Sequence, residues 1–147
     1  HPPVGDAIKG FDAVVIGPGS FFTSLMPILL VKGVAESLRQ VTGPIVLIAN
    51  ILTEGLGMKG FTVADAVRHV SEVIGRPVDV VLVNEGYPSP DSLDRYVAEH
   101  KELLVVGDVP RDCEVIAGQF WQRAIARHAR RRLSYVVWSV LAQRLLA

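Results

Sequence analysis

The chain has 147 residues, of which half are apolar and a fifth are charged, a balance that suits one globular core and excludes a disordered chain. Fifteen basic side chains balance fifteen acidic ones, so the overall charge favours neither nucleic acid nor an anionic membrane as a partner. The single cysteine, Cys113, excludes an internal disulfide and fits a cytoplasmic location, and no segment is apolar for long enough to predict a membrane span.

Four short apolar segments predict the strands of a mainly parallel sheet. They are residues 12–16, 44–49, 79–83 and 102–106, each rich in Val, Ile and Leu and continuously apolar rather than alternating. Continuous apolar runs are typical of strands that are covered on both faces. Residues 113–118 are compatible with either a further strand or a loop.

Apolar residues at helical spacing predict helices at residues 27–40, 62–74, 89–100 and 130–147. Thr62, with an aspartate three residues later, resembles a capping box. The predicted inward residues are Leu30, Val34 and Leu38 in the first helix, Ala66, Val67, Val70, Val73 and Ile74 in the second, and Leu133, Val136, Val137, Val140, Leu141 and Leu145 in the last. The alternation of strands and helices predicts a single α/β, Rossmann-like domain over residues 1–147, a three-layer sandwich with right-handed crossovers.

Small and polar residues follow the predicted strands, at the edge of a parallel sheet where ligands bind. Gly17 and Gly19 would let main-chain N–H groups approach an anion, and nearby hydroxyls would add donors. The pattern matches neither GxGxxG nor GxxxxGK[ST], and a tight strand-to-helix turn is the alternative interpretation. Asn50 and Asn84 could hold a base or a sugar, or could cap a strand end. The candidate ligand-binding residues are Gly17, Pro18, Gly19, Ser20, Thr23, Ser24, Asn50, Thr53 and Asn84.

Other polar residues are weaker candidates for chemistry. Glu54 and Asp108 are conceivable acid–base groups, but nothing in the sequence pairs them with a nucleophile. The basic segment 127–132 is expected to be a solvated helix face rather than an RNA site, because no aromatic residue interleaves it. Cys113 is expected to be an inert buried thiol, and no His or Cys spacing predicts a metal site.

Residues 12–38 resemble the core motif of the CofD-like superfamily, which contains the gluconeogenesis factors and the 2-phospho-L-lactate transferases of coenzyme F420 synthesis. The superfamily motif GPGSLYTS appears as GPGSFFTS at residues 17–24. Residues 49–54 are similar to the superfamily's C-N-L-M-T-Q, residues 60–66 to G-F-T-x-A-D-H, and residues 79–84 to I-D-x-V-L-V-N. The GPGS form is closer to the gluconeogenesis-factor branch than to the transferases, which usually have GPSNP.

Several features depart from the superfamily pattern. Residues 54–58 read EGLGM where the superfamily usually has Q-P-G-E-T, so Glu54 replaces the glutamine and the acidic residue of the pattern is missing; Ala66 replaces a histidine. The Gly-rich G-G-G-T-G loop of the superfamily's first strand is also absent from the sequence. The chain therefore resembles the C-terminal half of such a protein, and is expected to be a fragment of a larger domain.

The resemblance implies a protein that binds a nucleotide or a UDP-sugar and regulates carbon metabolism, cell-wall synthesis or cell shape. Residues 17–24 would then cradle phosphate, while Asn50, Thr53 and Asn84 would line the same edge. The transferase branch implies instead a phospholactyl transferase that uses a guanosine nucleotide and Mg²⁺. A third interpretation is a ligand-free homo-oligomer, because half a sheet leaves an open edge.

Overall fold

Within residues 2–86, 89–122 and 125–146, which the computed structural model describes, four parallel strands form one sheet. They are β1 (Val14–Ile16), β2 (Ile45–Ile48), β3 (Val80–Asn84) and β4 (Glu114–Gly118), and they lie side by side in chain order. The register places Leu47 beside Val81 and Leu82 beside Ile116. The predicted parallel sheet is confirmed.

Helices and a short antiparallel ribbon surround this sheet. The helices are α1 (Pro2–Lys9), α2 (Met26–Leu29), α3 (Val34–Arg39), α4 (Val63–Ile74), α5 (Pro90–Val97) and α6 (Arg130–Leu145). A π-helical turn, Phe21–Leu25, precedes α2, and a 3₁₀ turn lies at Leu56–Met58. The ribbon pairs β5 (Trp121–Gln122) with β6 (Ile125–His128).

The sheet separates two apolar clusters, because successive residues of a strand point to opposite faces. Ile45 and Leu47 of β2 pack in one cluster, together with residues of α3 and α4. Val46 and Ile48 pack in the other cluster, where Val140 brings α6 against the sheet. The helices therefore cover both faces, and the predicted three-layer α/β sandwich is confirmed.

The predicted strand at residues 102–106 is wrong, since two of its residues form only isolated bridges. The fourth strand is β4, which lies in residues 113–118, where the sequence is compatible with either a strand or a loop. As an edge strand, β4 is less completely covered, and Val115 is 41% exposed. Leu104 and Val106, by contrast, pack against the first apolar cluster from outside the sheet. The apolar run at residues 102–106 therefore reflects burial of its side chains and not pairing within the sheet.

The predicted helix at residues 27–40 is interrupted. Gly33 adopts a left-handed conformation, with φ at 88°, and separates α2 from α3. The interruption changes the inward face: Leu38 is buried as predicted, but Leu30 is 67% exposed and Leu29 is buried in its place. The break at Gly33 changes the direction in which the side chains after it point. A single helical period therefore does not describe both parts of residues 27–40.

Helix ends differ from the sequence pattern at other places. The pattern does not predict α1 at all, and α5 ends at Val97 rather than at His100. α6 ends at Leu145, which is exposed rather than inward. The predicted last helical residue, Ala147, lies outside the described residues.

The predicted capping box at the start of α4 is confirmed. Thr62 N donates to Asp65 Oδ2 at 2.8 Å, and Asp65 N donates to Thr62 Oγ1 at 3.1 Å. Replacing Thr62 by Val is expected to lower the free energy of unfolding by about 1 kcal/mol, because α4 loses its hydroxyl acceptor. Urea unfolding measures the change. The matched control is Ser89→Ala, at the residue before α5, whose side chain caps no amide among the described residues. An equal loss in both variants would contradict the assigned cap.

Asp65 makes stability depend on pH. Hydrogen bonds from Thr62 and Arg68 lower the pKa of the Asp65 carboxyl from 3.8 to about 2. A carboxyl with a depressed folded-state pKa stabilises the fold above its unfolded pKa, and this contribution is lost as the pH falls from about 4 towards 2. Because the side chain is 30% exposed and screened by solvent, Asp65→Asn is expected to cost roughly 1 kcal/mol at pH 7 and less at pH 3. Urea unfolding at both pH values tests this; an equal loss would contradict it.

Candidate functional site

The loops that follow β1 and β2 meet at the carboxyl-end edge of the sheet, where Gly19 and Asn50 exchange two hydrogen bonds. Gly19 N donates to Asn50 Oδ1 at 3.2 Å, and Asn50 Nδ2 donates to Gly19 O at 2.8 Å. An asparagine side chain has both a donor and an acceptor, so it can pair with a main-chain N–H and C=O at once. Asn50 therefore joins the two loops.

The carboxylate of Glu54 lies against the loop after β1. It accepts hydrogen bonds from Ser20 Oγ at 2.6 Å, from Phe21 N at 3.0 Å and from Asn50 Nδ2 at 2.9 Å. The hydroxyl of Thr23 is hydrogen-bonded to Ser20 Oγ. Hydrogen bonds to a charged acceptor are stronger than neutral ones. Donors that the sequence assigns to a bound phosphate are thus paired with a negative group of the chain itself.

The other candidate residues of this loop are exposed or only partly buried. Gly17 and Gly19 are partly buried, whereas Pro18, Thr23 and Ser24 are exposed. Among the described residues, no atom outside the two neighbours of Gly17 in the chain lies within 4 Å of the position that a Cβ atom would occupy there. The main chain at Gly17 is therefore accessible to a ligand.

Thr53 and Asn84 lie at the same edge, but their side chains bind neighbouring backbone. Thr53 is buried, and its Oγ1 accepts a hydrogen bond from Glu102 N at 2.9 Å. Asn84 Nδ2 donates to Gly86 O at 2.7 Å, and Asn84 Oδ1 accepts from Phe120 N at 2.8 Å. These two residues position the segments around the site.

A cleft of about 300 Å³ opens beside the loop after β1. Its lining combines residues from both loops with residues from much later in the chain. It includes Pro18, Gly19, Asn50, Thr53 and Glu54, together with Tyr96, Lys101, Arg127 and His128. The tertiary structure therefore brings basic and aromatic side chains to the glycine-containing loop.

An adjoining cavity of about 610 Å³ is rich in arginine. It shares Arg127 and His128 with the cleft, and adds Arg130, Arg131 and Arg132 from the first turn of α6. That turn contains no acidic residue and no side-chain cap. In the part of the chain that the structure describes, none of these arginines forms an ion pair with a carboxylate. The arginine side chains and the positive end of the helix repel each other, so the cavity has a positive electrostatic potential that favours the binding of an anion.

His128 connects the cleft to the end of β2. Its Nε2 is 3.2 Å from the carbonyl oxygen of Ala49. Since a carbonyl only accepts, Nε2 carries the proton and Nδ1 is the acceptor of the neutral ring. Burial lowers the pKa of His128, against the smaller opposing effect of this hydrogen bond. Burial therefore favours the neutral form of the ring.

Sequence reasoning missed Tyr96 and Lys101, and it treated the arginine segment as a solvated helix face. Tyr96 supports β6, because its hydroxyl accepts a hydrogen bond from Ala126 N at 2.8 Å. These residues are distant in sequence from the loop after β1, so no local spacing links them to it. The one available signal was the density of arginine around His128.

The described residues show no other obvious chemical centre. Within 2–86, 89–122 and 125–146, no group of three or more His, Cys, Asp or Glu side chains could hold a metal ion. In the same ranges no helix is both long and apolar enough to cross a membrane. Cys113 is buried, and burial raises the pKa of its thiol to about 11.

The sequence matches a known family model over most of its length. The model is described as 2-phospho-L-lactate transferase CofD, and the match covers residues 1–121. The matched region contains the whole parallel sheet and the loops after β1 and β2. It ends before β6 and α6, which carry the arginines.

Relatives with curated descriptions are named as gluconeogenesis factors. A putative gluconeogenesis factor of Nostoc sp. is 39% identical over 100 residues, which are 67% of this chain and 22% of that protein. One from Deinococcus radiodurans is 30% identical over 131 residues, 88% of this chain and 28% of that protein. The gluconeogenesis factor of Halalkalibacterium halodurans is 36% identical over 105 residues, 70% of this chain and 32% of that protein. The chain thus spans about a third or less of these relatives.

A solved structure agrees with these matches. The crystal structure of a UPF0052 family member from Bacillus halodurans superimposes with a TM-score of 0.82 at 29% identity, over 94% of this chain and 46% of that one. The chain therefore shares the fold of slightly less than half of that protein. The curated relatives are named as gluconeogenesis factors. Together with the family match over residues 1–121, they establish that the chain belongs to the CofD family.

Proposed function

We propose that the chain binds a nucleotide or a nucleotide sugar in the cleft and the adjoining cavity, as part of a regulatory protein of the gluconeogenesis-factor type in carbon metabolism or cell-wall synthesis. The observation that carries this proposal is the junction at Arg127 and His128, where a cleft lined by polar loops continues into an arginine-lined cavity. A ligand that contains both sugar and phosphate groups matches this pair of environments.

The arginine-lined cavity suits the phosphate groups. Guanidinium groups present paired N–H donors that match the oxygens of a phosphate. Arg130 and Arg131 lie on the first turn of α6, where main-chain N–H groups without helical partners add to the positive potential. Arg127 belongs to both spaces, and so it could hold a phosphate that is covalently linked to a group in the cleft.

The size of the two spaces is appropriate for such a ligand. The cleft of about 300 Å³ and the cavity of about 610 Å³ fall within the usual range of small-molecule sites, about 300–1,000 Å³. The polar atoms of Asn50 and Glu54, which line the cleft, are of the kind that orient a sugar by hydrogen bonding. The match covers 46% of the solved relative, so binding should be measured on the protein in its full natural length.

Calorimetric titration with UDP-N-acetylglucosamine is expected to show saturable binding. Arg127→Gln should weaken it at least about tenfold, because charge-assisted hydrogen bonds to phosphate are lost. The double change Ser20→Ala with Thr23→Ala should weaken it as well, because two hydroxyls are removed from the loop.

Arg111→Gln is the matched control, because Arg111 is exposed and precedes β4 at the opposite edge of the sheet. It should leave the affinity unchanged. If the folded protein gave no binding heat with UDP-N-acetylglucosamine or with other nucleotides, the proposal would be wrong.

A second candidate function is a transferase of the 2-phospho-L-lactate type, with a guanosine nucleotide and Mg²⁺. It is favoured by the description of the matching family model. The GPGS form of the loop and the internal use of its donors by Glu54 favour a binding protein instead.

Incubation of the natural protein with a deazaflavin acceptor, activated phospholactate and Mg²⁺ tests the transferase candidate by mass spectrometry. We expect no product, because the loop donors are already paired with Glu54. A phospholactyl–deazaflavin product formed over many turnovers would replace the regulatory proposal by an enzymatic one.

A further inference from the structure

The loop after β1 already holds an anion, the carboxylate of Glu54. Its Oε1 accepts from Phe21 N and Asn50 Nδ2, and its Oε2 accepts from Ser20 Oγ. Gly19 N, a second main-chain donor of this loop, is paired with Asn50 Oδ1. A phosphate at this position would have to displace these contacts.

Electrostatics opposes such a displacement. A phosphate placed on the loop would lie near the negative charge of Glu54, and like charges in a partly buried site repel strongly. The arginine-lined cavity next to the cleft has the opposite character, since Arg127, Arg130 and Arg131 have no carboxylate partner among the described residues. The phosphate therefore gains by binding to the arginines and loses by binding to the loop.

We propose that Glu54 converts the loop after β1 from a phosphate cradle into a hydroxyl-recognition surface, which contacts the sugar of a nucleotide-type ligand while the arginines hold its phosphates. This inference rests on the proposed nucleotide-sugar function and assigns a different part of the ligand to each space. Glu54, which lines the cleft, accepts hydrogen bonds from ligand hydroxyls, and Asn50 lies beside it in the same lining. Glu54 is then a specificity-determining residue.

Glu54→Gln is the informative variant, because it changes charge and hydrogen-bonding direction without changing size. The glutamine carbonyl can still accept from Phe21 N and Asn50 Nδ2. Its amide group would donate where the carboxylate accepts, and the Ser20 hydroxyl can rotate to accept from it. The loop should therefore keep its structure, which thermal unfolding checks. Glu72→Gln is the matched control, on the exposed surface of α4.

The experiment is a calorimetric comparison of UDP-N-acetylglucosamine, UDP and pyrophosphate, with the natural protein and with Glu54→Gln, Glu72→Gln and Arg131→Gln. We expect Glu54→Gln to weaken UDP-N-acetylglucosamine about tenfold and to leave pyrophosphate unchanged, because only the sugar contacts its side chain. Arg131→Gln should weaken all three probes. An additional loss for UDP would identify the ribose as the contacted sugar, and no change for UDP would identify the hexose; both results support the inference.

Other outcomes would overturn it. If Glu54→Gln strengthened pyrophosphate about tenfold while Arg131→Gln had no effect, the phosphate would bind on the loop. If Glu54→Gln changed none of the three affinities, Glu54 would have no part in recognition. If the unmodified protein bound none of the probes, the proposed function itself would fail, and this result is distinct because it appears before any substitution is made.

Discussion

The contact between the Glu54 carboxylate and the loop after β1 is the interaction on which the candidate site depends. Phe21 N and Asn50 Nδ2 are partly buried donors, and leaving them without the acceptor that Glu54 supplies would cost free energy. On its other side the same loop is held by apolar packing, since the ring of Phe21 is buried and its centroid lies 5.0 Å from that of Phe61. Polar and apolar contacts therefore hold the loop in one position, and the shape of the cleft follows from it.

The second determinant of the site is the way α6 docks on the sheet. Val140 and the residues around it pack against β2 and β3, and this packing directs the N-terminus of α6 towards the carboxyl-end edge of the sheet. Arg130, Arg131 and Arg132 are brought there as a consequence of where the helix begins. The result is a separation of charge, with a carboxylate at the loop and guanidinium groups in the adjoining cavity. Such a separation can orient a ligand that has a neutral end and an anionic end.

Much of the fold could be predicted from the sequence, and the errors have a common physical origin. β1 lies at an edge of the sheet, and its Val15 is 40% exposed. β2 and β3 are the central strands, so their continuous apolar composition reports burial on both faces. The apolar run at residues 102–106 reports burial as well, but against the first cluster rather than within the sheet. β4 pairs with β3 through its backbone, while its side chains are largely exposed. Hydrophobicity predicts burial, whereas strand pairing requires a neighbour that composition does not specify.

Sequence patterns were enough to predict the α/β class, the capping box of α4 and the family resemblance, and to propose residues 17–24 with Asn50 as a ligand-binding edge. These features are local, because each depends on residues that are close together in the chain or on the composition of one segment. Two further features become visible only in the folded chain: Glu54 pairs with the loop donors, and Arg127 and His128 line the same cleft. These contacts form because strands and helices far apart in sequence pack on one sheet, and no spacing within the chain records which of their ends will meet.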